Sequence, residues 1–131
     1  MAFELDIIFP DDLLSKATKM QRFLELKPTD QEEGLIDRIE LLQVLVAQSG
    51  KMLADAKYWL DKKKNDAITK TLEDALSEGG WSAATINKKI ESLCSEQNYL
   101  VNLIDRINAT ATHQIKALIT VISYRKTQMS V

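Results

Sequence analysis

Six side chains in the last third of the chain have the right types to grip a phosphorylated ligand: Arg106, Asn108, Thr112, His113, Lys116 and Tyr124. The two cations could hold phosphate, and the amide, hydroxyl, imidazole and phenol could contact a base. This stretch is unusually polar for the middle of an apolar helix. Tyr124, Arg125 and Lys126 extend it. His113 is the only histidine. It could touch a ligand or act as a general base, but one residue makes no constellation, and a structural or surface role is favoured. No cysteine, second histidine or acidic cluster stands at ligand spacing, so no metal site is expected.

A second candidate lies earlier. Tyr58 and Trp59 precede Lys62, Lys63 and Lys64. An aromatic face beside cations suits stacking on a base and contact with phosphate, as in single-strand nucleic-acid binding. The structural alternative has Trp59 facing the core and the lysines facing water, and it is the favoured one.

Catalysis is not expected. No P-loop, GxGxxG, HExxH, paired CxxC or GxSxG occurs. Cys94 is the single cysteine and has no activating base beside it, so it reads as a small buried residue. The acidic pairs Glu32-Glu33 and Glu73-Asp74 fall at helix starts or on exposed faces. No cofactor is implied.

The elements that must position these residues are helices. Ile86, Ile90, Leu93, Gln97, Leu100, Ile104, Ile107, Ala111, Gln114, Leu118 and Val121 alternate spacings of four and three. That is a coiled-coil seam on one uninterrupted helix over 82–127. Val101, Ile115, Ile119 and Ile122 widen the apolar face toward bundle packing. Gln97 and Gln114 are polar seam residues of the kind that fix register; they could instead line a polar cavity for a small ligand, and the structural role is favoured. Ser82 reads as the N-cap, with Trp81 as a staple before it. Gly79-Gly80 marks the turn.

Upstream, Leu35, Ile39, Leu42, Val46, Ser49, Leu53, Ala56 and Leu60 keep a heptad in a helix over 30–78. Thr29 and Glu32 form a capping box at its start. Lys62 to Asp66 interrupt the pattern, leaving open one helix, a kink or two pieces. Gly50 costs roughly 1 kcal/mol against alanine in a helix interior and marks close packing or a bend. A short helix over 11–26, capped by Asp11 or Asp12, ends before Pro28. Phe3, Leu5 and Ile7 alternate with acids and predict an extended segment over 1–10. The fold expected is a single all-α domain over 1–131: an elongated antiparallel helical hairpin or bundle with coiled-coil packing and a short extended N-terminal segment.

Composition narrows the function classes. The formal net charge is −2, with both signs interspersed, which argues against a dedicated duplex binder. No apolar run has the length of a membrane span. The first residues carry acids where a signal peptide carries bases, so a cytoplasmic protein is expected.

The run Leu103-Ile104-Asp105-Arg106-Ile107-Asn108-Ala109-Thr110-Ala111-Thr112-His113-Gln114-Ile115-Lys116-Ala117-Leu118, with Ile122-Ser123-Tyr124-Arg125-Lys126, carries a resemblance. It is similar to the C-terminal helix of small helical phage and prophage proteins of uncharacterised role, often encoded near single-strand annealing recombinase genes. The likeness is confined to the C-terminal third. The common pattern has arginine where this chain has Ile119, which leaves the role of that position open. The resemblance implies a bacterial or phage-infected cell and an accessory role in recombination or replication.

The residues fit three functions. The first is a non-enzymatic accessory protein that oligomerises and binds a phage or host protein partner. The second is an anti-defence helical sponge for a small cyclic nucleotide, held by the six residues named first. The third is single-stranded nucleic-acid binding through Trp59 and Lys62 to Lys64. Wide apolar faces predict a homo-oligomer, with a dimer of hairpins as the first choice.

Overall fold

A computed structural model describes residues 6–129. The described residues form four helices and no strand. These are α1 (Pro10–Glu25), α2 (Glu32–Ser77), α3 (Ala83–Leu93) and α4 (Ser95–Met129). The protein is an all-α antiparallel hairpin of α2 against α3 and α4, with α1 laid along one half. Asp6 to Phe9 form a non-helical strap before α1, and Phe9 has extended backbone. Phe3 and Leu5 of the expected extended segment lie outside the described residues.

α2 is continuous through Lys62 to Asp66, a span of roughly 70 Å. It turns back at Gly79 and Gly80, both with positive φ (85° and 105°). Only glycine adopts that conformation without steric cost. The returning arm is interrupted, which corrects the expectation of one unbroken helix over 82–127. At Cys94 the backbone turns to φ −103°, ψ 7°. Its N–H is shared between the carbonyls of Ile90 (3.1 Å) and Glu91 (3.2 Å). The side chain is fully buried against Leu60 and Ala67. No glycine or proline marks the break; packing against α2 holds it.

Two of the expected caps differ. Ser82 does cap α3, accepting from the Thr85 N–H at 3.2 Å. α2, however, starts after Gln31 with no side-chain cap. Thr29 instead lies on Gly34, where a Cβ would meet its Oγ1 at 1.7 Å. α1 starts at Pro10 after Phe9, so Asp11 and Asp12 sit in its first turn, where carboxylates favour the helix dipole, and cap nothing.

The core joins α1, α2 and α4 around Leu13, Leu42, Ile104 and Ile107, all fully buried. Burying each of these is worth about 1.5–3 kcal/mol. α1 runs antiparallel to α2 and parallel to α4: Phe23 lies by Arg38, Leu24 by Gln114, and Pro10 by Leu100. α2 therefore has two buried rows. Leu35, Leu42, Ser49, Ala56 and Leu60 belong to the expected seam. Arg38, Leu45 and Met52 form the other, toward α1.

α1 has 16 residues and α2 has 46, so α1 covers only one part of it. Beyond Leu60, α2 packs on Cys94 and α3. There it buries Ala67, Thr71 and Ala75, and turns Ile68, Leu72 and Leu76 outward. No α3 residue is fully buried. The α4 seam likewise loosens toward its end, where Val121 is exposed. Among the described residues, no helix is long and apolar enough to cross a membrane.

Candidate functional site

The six polar residues of α4 divide between two sides of the helix. Asn108 and Thr112 are half-buried. Asn108 Nδ2 donates to the Val46 carbonyl at 3.0 Å and to Ser49 Oγ at 2.9 Å. Ser49 is fully buried, and its hydroxyl donates to the same carbonyl at 3.2 Å. The Thr112 hydroxyl donates one turn back to the Asn108 carbonyl at 3.0 Å. Gly50 lies beside this knot, where an added Cβ would stand 4.0 Å from Asn108 Nδ2, an ordinary contact, so the expected close packing does not require glycine there. The Asn108 amide links α4 to α2 inside the bundle.

Arg106, His113, Lys116 and Tyr124 are exposed. At about 100° per residue, Arg106, His113 and Tyr124 share one outward stripe of α4, with Lys116 beside it. The structure thus gathers Asn108 with Val46 and Ser49, and sets Arg106, His113 and Tyr124 on a different face, with Lys116 between that face and Thr112. Arg125, the neighbour of Tyr124, reaches the α1–α2 loop and binds the Asp30 carbonyl (2.7 Å) and carboxylate (2.6 Å).

Trp59 is engaged by the strap. Its Nε1 donates to the Ile8 carbonyl at 2.7 Å. The Phe9 ring lies 5.5 Å from it and the Tyr58 ring 5.2 Å, while Lys62 Nζ stands 5.5 Å from its centroid. Lys62 and Lys64 are exposed and Lys63 is half-buried. Three consecutive helical residues fan through about 200°. They do not converge into one patch beside Trp59.

Two charged residues that pattern reading passed over are buried. Asp55 accepts from the Ile8 N–H at 3.0 Å and pairs with Lys51, whose Nζ also donates to the Asp6 carbonyl. Together, Asp55 and Trp59 therefore bind both backbone polar groups of Ile8. Arg38, 7 % exposed, reaches the end of α1. Its Nη2 donates to the carbonyls of Phe23 (2.9 Å) and Leu26 (2.8 Å) and to Gln114 Oε1 (3.3 Å). The guanidinium carbon stands 3.9 Å over the Phe23 ring. Gln114 Nε2 donates to the Leu24 carbonyl at 2.9 Å. Helix ends leave such carbonyls without partners and carry negative dipole charge, so a cation belongs there. Burial lowers the Arg38 pKa from its usual value. One signal could have found this row: Arg38, Leu45, Met52 and Trp59 recur every seven residues.

The surface between α1 and α2 is open and partly apolar. Two adjoining hollows, about 380 and 270 Å³, run along it from the strap. Lys19, Met20 and Gln48 line both, and Leu41 and Val44 are 55 % exposed at the lower one. Among the described residues, no three His, Cys, Asp or Glu side chains gather as a metal site. Set against protein-family models, curated proteins and solved structures, the chain finds no match.

Proposed function

We propose that the chain is a non-enzymatic binding module that self-associates and holds a protein partner, in the recombination or replication setting that its C-terminal run resembles. One observation carries the reading: the outward row Ile68, Leu72 and Leu76. Past Leu60, α2 gives its small side chains to α3 and its large ones to solvent, with Leu76 80 % exposed. Residues at i, i+4 and i+8 lie on one face of a helix and form a strip on which another helix can rest. Ordinary hairpins bury the large residues and expose the small, so the inversion supports a second packing partner on this face. A second copy brings the same row, and two such rows make a self-complementary two-fold contact.

The test is the mass in solution by light scattering. The wild-type protein should run at twice the monomer mass or more. Leu72→Glu with Leu76→Glu should run as a monomer with unchanged helical circular dichroism. A wild-type monomer at tens of micromolar, or a double variant that still associates, sinks the reading.

A further inference from the structure

We propose that the trough between α1 and α2 binds an extended peptide of a partner protein, apolar on one side and acidic on the other. The trough continues a contact the molecule already makes. At its upper end the non-helical strap lies on α2, with the Ile8 N–H held by Asp55 at 3.0 Å and its carbonyl by Trp59 at 2.7 Å. Ile8 itself lines the first hollow. Below it, Met20, Met52 and Phe23 provide an apolar floor. Unbranched methionine adapts to side chains of different shape, which suits a peptide site.

The charge around the trough gives the sign of the partner. Lys16, Lys19 and Lys51 line it, and no acid does among the described residues. Lys51 is already paired with Asp55, whereas the ion pairs among the described residues do not include Lys16 or Lys19. Acidic side chains beside an apolar anchor complement these two cations. The site is separate from the Ile68 to Leu76 row. It lies on the α1 side, and Met52 and Ile68 are about 24 Å apart along the α2 axis.

The experiment uses the full chain and two fluorescein-labelled hexapeptides, one alternating leucine with glutamate, the other leucine with lysine. Fluorescence anisotropy should show saturable binding of the glutamate peptide, weakening as salt rises, and none of the lysine peptide. Lys16→Glu with Lys19→Glu should raise Kd about tenfold or more at unchanged circular dichroism. If that pair loses helicity, Lys19→Gln alone should weaken binding about twofold to threefold. Equal binding of both peptides, no saturable binding, or indifference to the lysine changes overturns the proposal. Self-association lost in the lysine variants, with no peptide bound, assigns the trough to a second copy and overturns it too. Leu72→Glu with Leu76→Glu should bind the glutamate peptide as the wild type does, so this result stands apart from the self-association test.

Discussion

Arg38 and Gln114, 76 residues apart in the chain, meet at the C-terminal end of α1, with Arg38 Nη2 3.3 Å from Gln114 Oε1. Between them they bind the carbonyls of Phe23, Leu24 and Leu26. One residue comes from α2 and one from α4, so the end of α1 is fastened to both arms of the hairpin. Arg38→Met keeps much of the apolar stem but removes the donors. It should cost about 1–3 kcal/mol in urea unfolding, because the part-buried Leu26 carbonyl and Gln114 Oε1 lose a charged donor, while the Phe23 carbonyl keeps the Leu26 N–H at 3.1 Å. Amide exchange in α1 should rise more than exchange in α2. Uniform loss of protection across both helices would argue against a cap specific to α1.

Asn108 ties the middle of α4 to α2 through the Val46 carbonyl and Ser49. Asn108→Ala should destabilise by about 1–2 kcal/mol, measured by thermal or denaturant unfolding. Ser49→Ala in that background should cost less than it does alone, since the two share a bond. Strict additivity of the two changes would show that this bond contributes nothing.

Gly34 has no room for a side chain while Thr29 lies on it, with 1.7 Å between a built Cβ and Thr29 Oγ1. Gly34→Ala should therefore destabilise by roughly 1 kcal/mol despite the better helix propensity of alanine. Thr29→Ala with Gly34→Ala removes the 1.7 Å contact, leaves a Cβ–Cβ approach of 3.1 Å, and should recover part of that loss. Differential scanning calorimetry of the three variants decides it, and a stabilised single Gly34→Ala variant would refute the contact.

Thr71 is fully buried between α2 and α3, and its hydroxyl has no hydrogen-bond partner among the described residues. Thr71→Val keeps the shape and removes the unpaired group. It should raise stability by about 1 kcal/mol in urea unfolding. A drop in stability would mean that the hydroxyl is satisfied in solution.

Much of the architecture is legible in the chain. The four-and-three spacing from Leu100 to Ala111 and from Leu35 to Leu60 specifies helices with one apolar face, and Gly79-Gly80 specifies where they turn back. Ser82 caps as its type and position imply. These features are local: they depend on periodicity, cap chemistry and backbone freedom, all carried by neighbouring residues. What tertiary structure decided is which polar residues face inward. Asn108 and His113 look alike as polar members of one helix, yet one binds α2 and the other meets water. Arg38 and Asp55 read as ordinary surface charges until α1 and its strap lie over them. The break at Cys94 and the outward row Ile68, Leu72 and Leu76 have the same origin. A helix's own sequence sets its apolar stripe, but the helices that land on that stripe, and how far they extend along it, set what is buried. In this protein α1 reaches along only part of α2, and that shortfall leaves large apolar residues exposed beyond Leu60.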